Sequence, residues 1–309
     1  MKHRWIAVAM IGLTWMGVTA LGQGQAAGQS QAYGQGQDIA RIGTVNYIEG
    51  TVYLQGKLLR HADVGSVVLK EGQMLTTGKG RAELLLTPGV FLRMDENSAI
   101  RMVKPELLQT QVDLLQGKAS AEVDEIHDEN DLEVLVGGVR TQMLKTGFYE
   151  FNATTPQAMV FKGKAAVALG GDKYNLVKGN HELALTDNLH AKPADFNPTA
   201  DQDDLYRWSK LRSQYLAEAN NELAQEYEDM PGFEPGWFWD PYGYGFTYIG
   251  MDPFWSPFGF GFFPPWYGGF YGGFYRGGYY GRGGFGGRPG FGGGVARMGG
   301  GMHGGGARR

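Results

Sequence analysis

From Arg41 to about Leu185 the chain is written in short apolar stretches of four to eight residues, each closed by glycine or a turn signal. Punctuation at ~8–12-residue spacing excludes long helices and predicts roughly ten to twelve short strands. "GTVNYIEGTVYLQG" repeats Gly-Thr-Val at 43–45 and 50–52, and within it Val45 and Tyr47 alternate with Thr44 and Asn46, the period of a half-buried strand. Glu83–Leu86, the turn signal Thr87-Pro88-Gly89 and Val90–Met94 predict a hairpin. Strand ends at Gly117, Gly137-Gly138 and Gly170 favour repeated tight corners, because glycine tolerates positive φ. The expected fold over 41–190 is all-β, solenoid-like or roll-like.

The flanks are of different character. Lys2, His3 and Arg4 precede an apolar run from Trp5 to Leu21, with small residues Ala20 and Gly22 behind it. A basic start, a short apolar region and a small-residue site form a signal peptide over 1–22, so the remainder is expected in the periplasm or outside the cell. Ala27 is the alternative cleavage site, and an uncleaved anchor is the competing reading. Residues 23–40 are a Gly/Gln-rich, flexible leader. With no cysteine in 309 residues, disulfides, thiolate metal sites, a cysteine nucleophile and a lipid-anchored N-terminus are excluded. A net charge of −4 argues against a generally basic nucleic-acid binder.

The ordered series across the middle resembles the FecR domain. Its residues here are Thr77-Gly78, Ala82-Glu83-Leu84, Pro88-Gly89, Leu92-Arg93-Met94 and Asn97-Ser98. Leu114–Gly117, Val139-Arg140-Thr141, Thr146–Glu150 and the closing "VFKGKAAVALGG" at 160–171 continue it. The resemblance implies an extracytoplasmic β module used for sensing or interaction, without catalytic residues. The best-known members are anti-sigma regulators with a cytoplasmic arm before the membrane segment. Only four residues precede the apolar run here, so the transmembrane signalling role is not expected to carry over.

After a linker at 191–200, residues 201–230 hold the one clear helix. Leu205, Trp208, Leu211, Tyr215, Leu216, Ala219 and Leu223 form an apolar stripe, and Thr199 or Asp201 is the expected cap. The stripe is expected to pack on the β domain and cover unpaired edges. A docking helix for a partner is the alternative.

The tail, 231–309, is expected to be disordered. From residue 232 onward it holds 28 of the 51 glycines and 24 of the 40 aromatics, and glycine at that density makes order costly in backbone entropy. After Asp252 it carries six arginines and no acidic residue. Arginine among aromatics permits cation–π contacts. Trp237, Trp239, Trp255, Trp266, Arg276, Arg282 and Arg288 are the candidate binding residues, as adhesive contacts to an envelope protein, a polysaccharide or the same tail on another copy. "RGGYYGRGGFGGR" at 276–288 resembles an RGG box, a nucleic-acid reading that requires the signal peptide to be spurious.

Chemistry is hard to place. His181 and His190 lie nine apart, too far for one helix face. The acidic run 122–133 lacks the glycine and ligand spacing of an EF-hand, so it is expected to be a solvated loop, with weak Ca²⁺ binding as the alternative. No nucleophile–base pair or phosphate loop occurs, and no cofactor is implied. The function expected is a non-enzymatic, exported envelope scaffold. A periplasmic FecR-type sensor signalling to a membrane partner is the alternative.

Overall fold

A computed structural model describes residues 40–170, 174–186, 188, 190–228 and 231–267. Fifteen strands form one sheet. They are β1 (Val45–Leu54), β2 (Lys57–Leu58), β3 (Met74–Leu85), β4 (Val90–Met94), β5 (Ala99–Pro105), β6 (Gln109–Gln116), β7 (Lys118–Val123) and β8 (Asp131–Val136). The series continues with β9 (Val139–Met143), β10 (Gly147–Asn152), β11 (Gln157–Lys162), β12 (Lys164–Ala168), β13 (Asn175–Lys178), β14 (His181–Ala184) and β15 (Ala194–Asp195).

The long strand β3 is the hinge of the sheet. Its start pairs with β5 and its end with β4, while β1 runs along it. From β3 one wing runs through β5, β6, β8, β9, β12 and β13, and the other through β4, β7, β10, β11, β14 and β15. The chain crosses from wing to wing as it grows outward. All pairings are antiparallel except β6 with β8. The wings enclose one core, with Leu84, Leu92, Ala121 and Phe151 from one side meeting Met102, Val112, Val134 and Val167 from the other. The fold is therefore mostly β with one helix, built on one large mixed sheet that ends at β13 and β15. The hairpin at 83–94 forms as expected, and the linker region 191–200 contributes the short edge strand β15.

Side chains alternate across a strand. While Val90, Leu92 and Met94 enter the core, Phe91 and Arg93 point to the outer face, yet all five are buried. The cover is α1 (Asp204–Glu226), followed by a hairpin of β16 (Gly236–Asp240) and β17 (Gly245–Ile249), and by β18 (Phe254–Trp255) with β19 (Gly261–Phe262). Leu85 and Phe91 from the sheet, Leu216 and Ala217 from α1, and Phe246, Tyr248 and Phe262 from the tail make a second core. The helix packs on a sheet face rather than over an end. Asp203 caps it, accepting from the Tyr206 N–H at 2.9 Å, in place of Thr199 or Asp201. Leu211, counted in the apolar stripe, is exposed, and the buried side instead includes Ser209, Arg212, Ser213 and Asn220.

The expectation of disorder from 231 onward does not hold for 231–267. Glycine's entropy cost is offset there by aromatic packing and by two buried asparagines that bind tail backbone. Asn46 accepts from the Phe246 N–H at 2.6 Å and donates to its carbonyl at 3.0 Å. Asn220 donates to the Tyr248 carbonyl at 2.9 Å and accepts from the Phe263 N–H at 2.7 Å. Gly245 sits at φ +97°, and a Cβ there would lie 2.6 Å from the Asn46 carbonyl oxygen. Residues 268–309, with the rest of the tail expectation, and the leader and signal segment 1–39 lie outside the described residues. Among the described residues, no helix is long and apolar enough to cross a membrane.

Candidate functional site

The cross-strand register lays one row of side chains over the outer face. Tyr47 opposes Glu83, Glu83 opposes Arg93, Arg93 opposes Ser120, and Ser120 opposes Glu150. Glu150 then opposes Met159, and Met159 opposes Glu182. Directly opposed residues point to the same face, so the row crosses seven strands and makes a strip that carries the charges of Glu83, Arg93, Glu150 and Glu182.

Half of the strip lies under α1 and is closed by ion pairs. Arg93, fully buried, places Nε 2.7 Å from Glu83 and Nη1 2.5 Å from Glu122. Arg212 reaches down from the helix to Glu83 at 2.8 Å, donates to the Tyr244 carbonyl at 2.6 Å, and sits 4.0 Å from the centre of the Tyr47 ring. The Ser213 hydroxyl donates to Glu122 at 2.5 Å, and Ser120 and Ser209 share a hydrogen bond at 3.0 Å. Burial pushes the Glu83 carboxyl up, but the Arg212 and Arg93 guanidiniums outweigh it and hold the group at about 2. Glu122 goes the other way. Its burial outweighs Arg93 and Ser213, so its carboxyl rises. Asp124, buried beside it without a hydrogen-bond partner for either oxygen, is raised well above the carboxylate range by burial and by the Glu122 charge.

The acidic run 122–133 is the expected solvated loop only in its middle, where His127, Asp128 and Glu129 are exposed between β7 and β8. Glu122 and Asp124 are buried, Glu125 accepts from the Tyr248 hydroxyl at 2.5 Å, and Glu133 binds Gln111 at 2.6 Å. His181 meets Asp195 at 3.1 Å and the Gly179 carbonyl at 2.9 Å. Among the described residues no group of three histidines or carboxylates is placed to hold a metal ion.

The candidate tryptophans are spread over separate aromatic groups. Trp237 wedges edge-on between Phe91, 5.1 Å away, and Tyr248, 5.6 Å away, so much of its ring is packing. Trp239 stands edge-on to Phe246 and lies over the Gly65 backbone. Trp255, beside Phe263, and Trp266, beside Phe233, leave 57% and 53% of their surface in solvent. Tyr242, at the hairpin turn, is 75% exposed. Arg276, Arg282 and Arg288 lie outside the described residues. Sequence reading missed the buried network. Its signal was present in Ala82-Glu83-Leu84 and Leu92-Arg93-Met94, where a lone charge inside an apolar strand marks a second covered face.

These features define a mostly β domain whose outer face is partly covered by a helix and an aromatic extension. Residues 73–166 match the family model described as FecR protein, and the chain therefore carries a FecR domain, as the sequence resemblance implied. No curated protein matches the chain. A crystal structure of a protein described as an anti-sigma factor, from Parabacteroides distasonis ATCC 8503, is 13% identical with a TM-score of 0.34. That match covers 45% of this chain and 63% of the other, so it spans less than two thirds of the solved protein.

Proposed function

We propose that this chain is a non-enzymatic, exported envelope protein that holds other molecules against a rigid FecR-domain body. The observation that carries the reading is the set of solvent-facing aromatic rings, Tyr242, Trp255 and Trp266, on an extension that Asn46 ties to the sheet and Asn220 ties to α1. Rigid aromatics present contact area at little conformational cost, and they suit envelope polymers and protein surfaces alike. Supporting the non-enzymatic part, the central Glu83, Arg93 and Glu122 are consumed in ion pairs beneath a helix. The signal-peptide pattern at 1–22 supports export.

The test compares the full chain, a chain ending at Tyr267, and the full chain carrying Tyr242→Ala, Trp255→Ala and Trp266→Ala together. Each is fractionated from cells and crosslinked to its neighbours. Loss of envelope crosslinks in the triple variant supports the aromatic surface. Unchanged crosslinks in both altered chains would remove the adhesive role. The FecR match favours a second reading, a periplasmic regulator acting on a membrane partner. In that case one membrane protein would dominate the crosslinks, independently of the three aromatics.

A further inference from the structure

The other half of the charge strip is open. Beyond the N-terminus of α1, Glu150 and Glu182 line a cleft of about 690 Å³ together with Asp195, Asp201, Asp203 and Lys118. That volume is in the range of small-ligand sites. Four of the five carboxylates have local partners. Asp203 caps α1 and holds Lys118 at 2.7 Å, Glu182 accepts from Gln157 at 2.8 Å, Asp195 meets His181, and Asp201 accepts from the Asn197 N–H at 2.9 Å. Glu150 differs from these. It is only 6% exposed, and its Oε1 is buried with no hydrogen-bond partner.

The covered half of the same row indicates which chemistry is missing. There Glu83 is met by the guanidinium of Arg212, delivered from outside the sheet by α1. Glu150 sits three strands along, on the same face, with the acidic Glu182 two strands further and no arginine above it. We propose that this cleft is a binding site for a guanidinium group brought by a ligand, with Glu150 at its floor and Glu182 at its outer wall. A guanidinium offers a planar set of donors that can span two acceptors, which a compact ammonium does not. Its source is either a free small molecule or an arginine side chain on a peptide. The chain's own acid-free segment 276–288, with three arginines, is one such peptide.

Binding would release a proton. Burial, then the Asp203 charge, raises the Glu150 carboxyl well above the carboxylate range, with Lys118 opposing and Asp95 adding to the rise. The remaining titratable neighbours are Tyr206 on α1, Glu182 and His181 on β14, and Asp195 and Asp201 at the rim. A bound cation favours the ionised carboxylate, so affinity rises with pH as Glu150 gives up its proton.

Isothermal titration of the full chain at pH 6 and pH 8, in buffers of different ionisation heat, tests the site. The probes are agmatine, putrescine and a synthetic peptide of residues 276–288. Agmatine is expected to bind more tightly at pH 8, with proton release, and more tightly than putrescine. Glu150→Gln, nearly the same shape, should weaken binding about tenfold or more and abolish the pH dependence. Glu182→Gln, at the cleft wall, should weaken binding and keep that dependence. Agmatine bound without the peptide identifies a small-molecule site. A peptide that binds more tightly to a chain ending at Tyr267 than to the full chain identifies the tail as a competitor for the same site. No heat from agmatine or peptide, equal affinity for putrescine and agmatine, or wild-type binding by a natively folded Glu150→Gln would each overturn the proposal.

Discussion

Replacing Glu83 by Gln removes one charge from the point where the helix meets the sheet. The carboxylate receives Arg93 at 2.7 Å, Arg212 at 2.8 Å and Asn46 at 2.9 Å, in a place closed to water. The amide keeps the shape, but one of its two heads becomes a donor facing donors. Glu122 and the Tyr244 carbonyl are then left to serve two buried guanidiniums. Removing one partner of a buried pair costs about 3–5 kcal/mol. The depressed carboxyl gives a similar figure, since a fall from 4.5 to about 2 is worth about 3 kcal/mol. For a body of this size that is a loss of roughly 10 °C in Tm. Thermal and urea unfolding followed by tryptophan fluorescence would measure it, because Trp208 and Trp237 lie beside the network. The same pairing predicts pH dependence. A depressed carboxyl contributes stability that is fully present above 4.5 and is lost as pH falls from there toward 2, and Glu83→Gln should flatten that limb. Arg212→Met combined with Glu83→Gln should cost less than the sum of the two single changes. A loss under about 1 kcal/mol in the single variant, or strict additivity in the pair, would refute the reasoning.

Other expectations follow from the same contacts. Against a chain ending at Tyr267, one ending at Met230 removes Phe246, Tyr248 and Phe262 from the second core and should lose roughly 5 kcal/mol or more by urea unfolding. Asp124→Asn should flatten the decline of stability with rising pH. A raised carboxyl contributes stability that is fully present below its ordinary value of 3.8 and is lost as pH rises from there through the folded one, so the variant should gain on wild type as pH is raised in thermal melts. Gly245→Ala should cost about 1–3 kcal/mol, because its φ of +97° disfavours a side chain and the added Cβ meets the Asn46 carbonyl.

The strands were legible in the sequence because their signals are local. Gly89, Gly117 and Gly137 end segments whose alternation sets their core side, and the hairpin at 83–94 forms where Thr87-Pro88-Gly89 placed it. The pairing of β3 with both β4 and β5 was not legible, since nothing in Met74–Leu85 states that its two halves serve different wings. The helix was found and its buried face was only partly found. An apolar stripe leaves out Arg212, Ser213 and Asn220, which are buried only because Glu83, Glu122 and Tyr248 wait opposite them. The tail failed in the same way. Composition registers the entropy cost of glycine but not a distant Asn46 whose side chain serves as a hydrogen-bonding edge for Phe246.

The FecR match ends at 166, yet residues that hold the later chain in place precede that end: Asn46 ahead of the match, and Glu83, Arg93 and Glu122 within it. A charged strip on one sheet face is costly to bury without partners, so its covered half has one use here, to seat Arg212 and the extension that follows. That half cannot also meet an outside partner while α1 is docked. On the function proposed above, contact with other molecules falls on surfaces the helix leaves free, the rings carried by the extension and the carboxylates beyond the helix N-terminus. The two are separable by mutation, because Trp255 and Trp266 belong to the C-terminal extension while Glu150 belongs to β10, and neither set takes part in the Glu83 network.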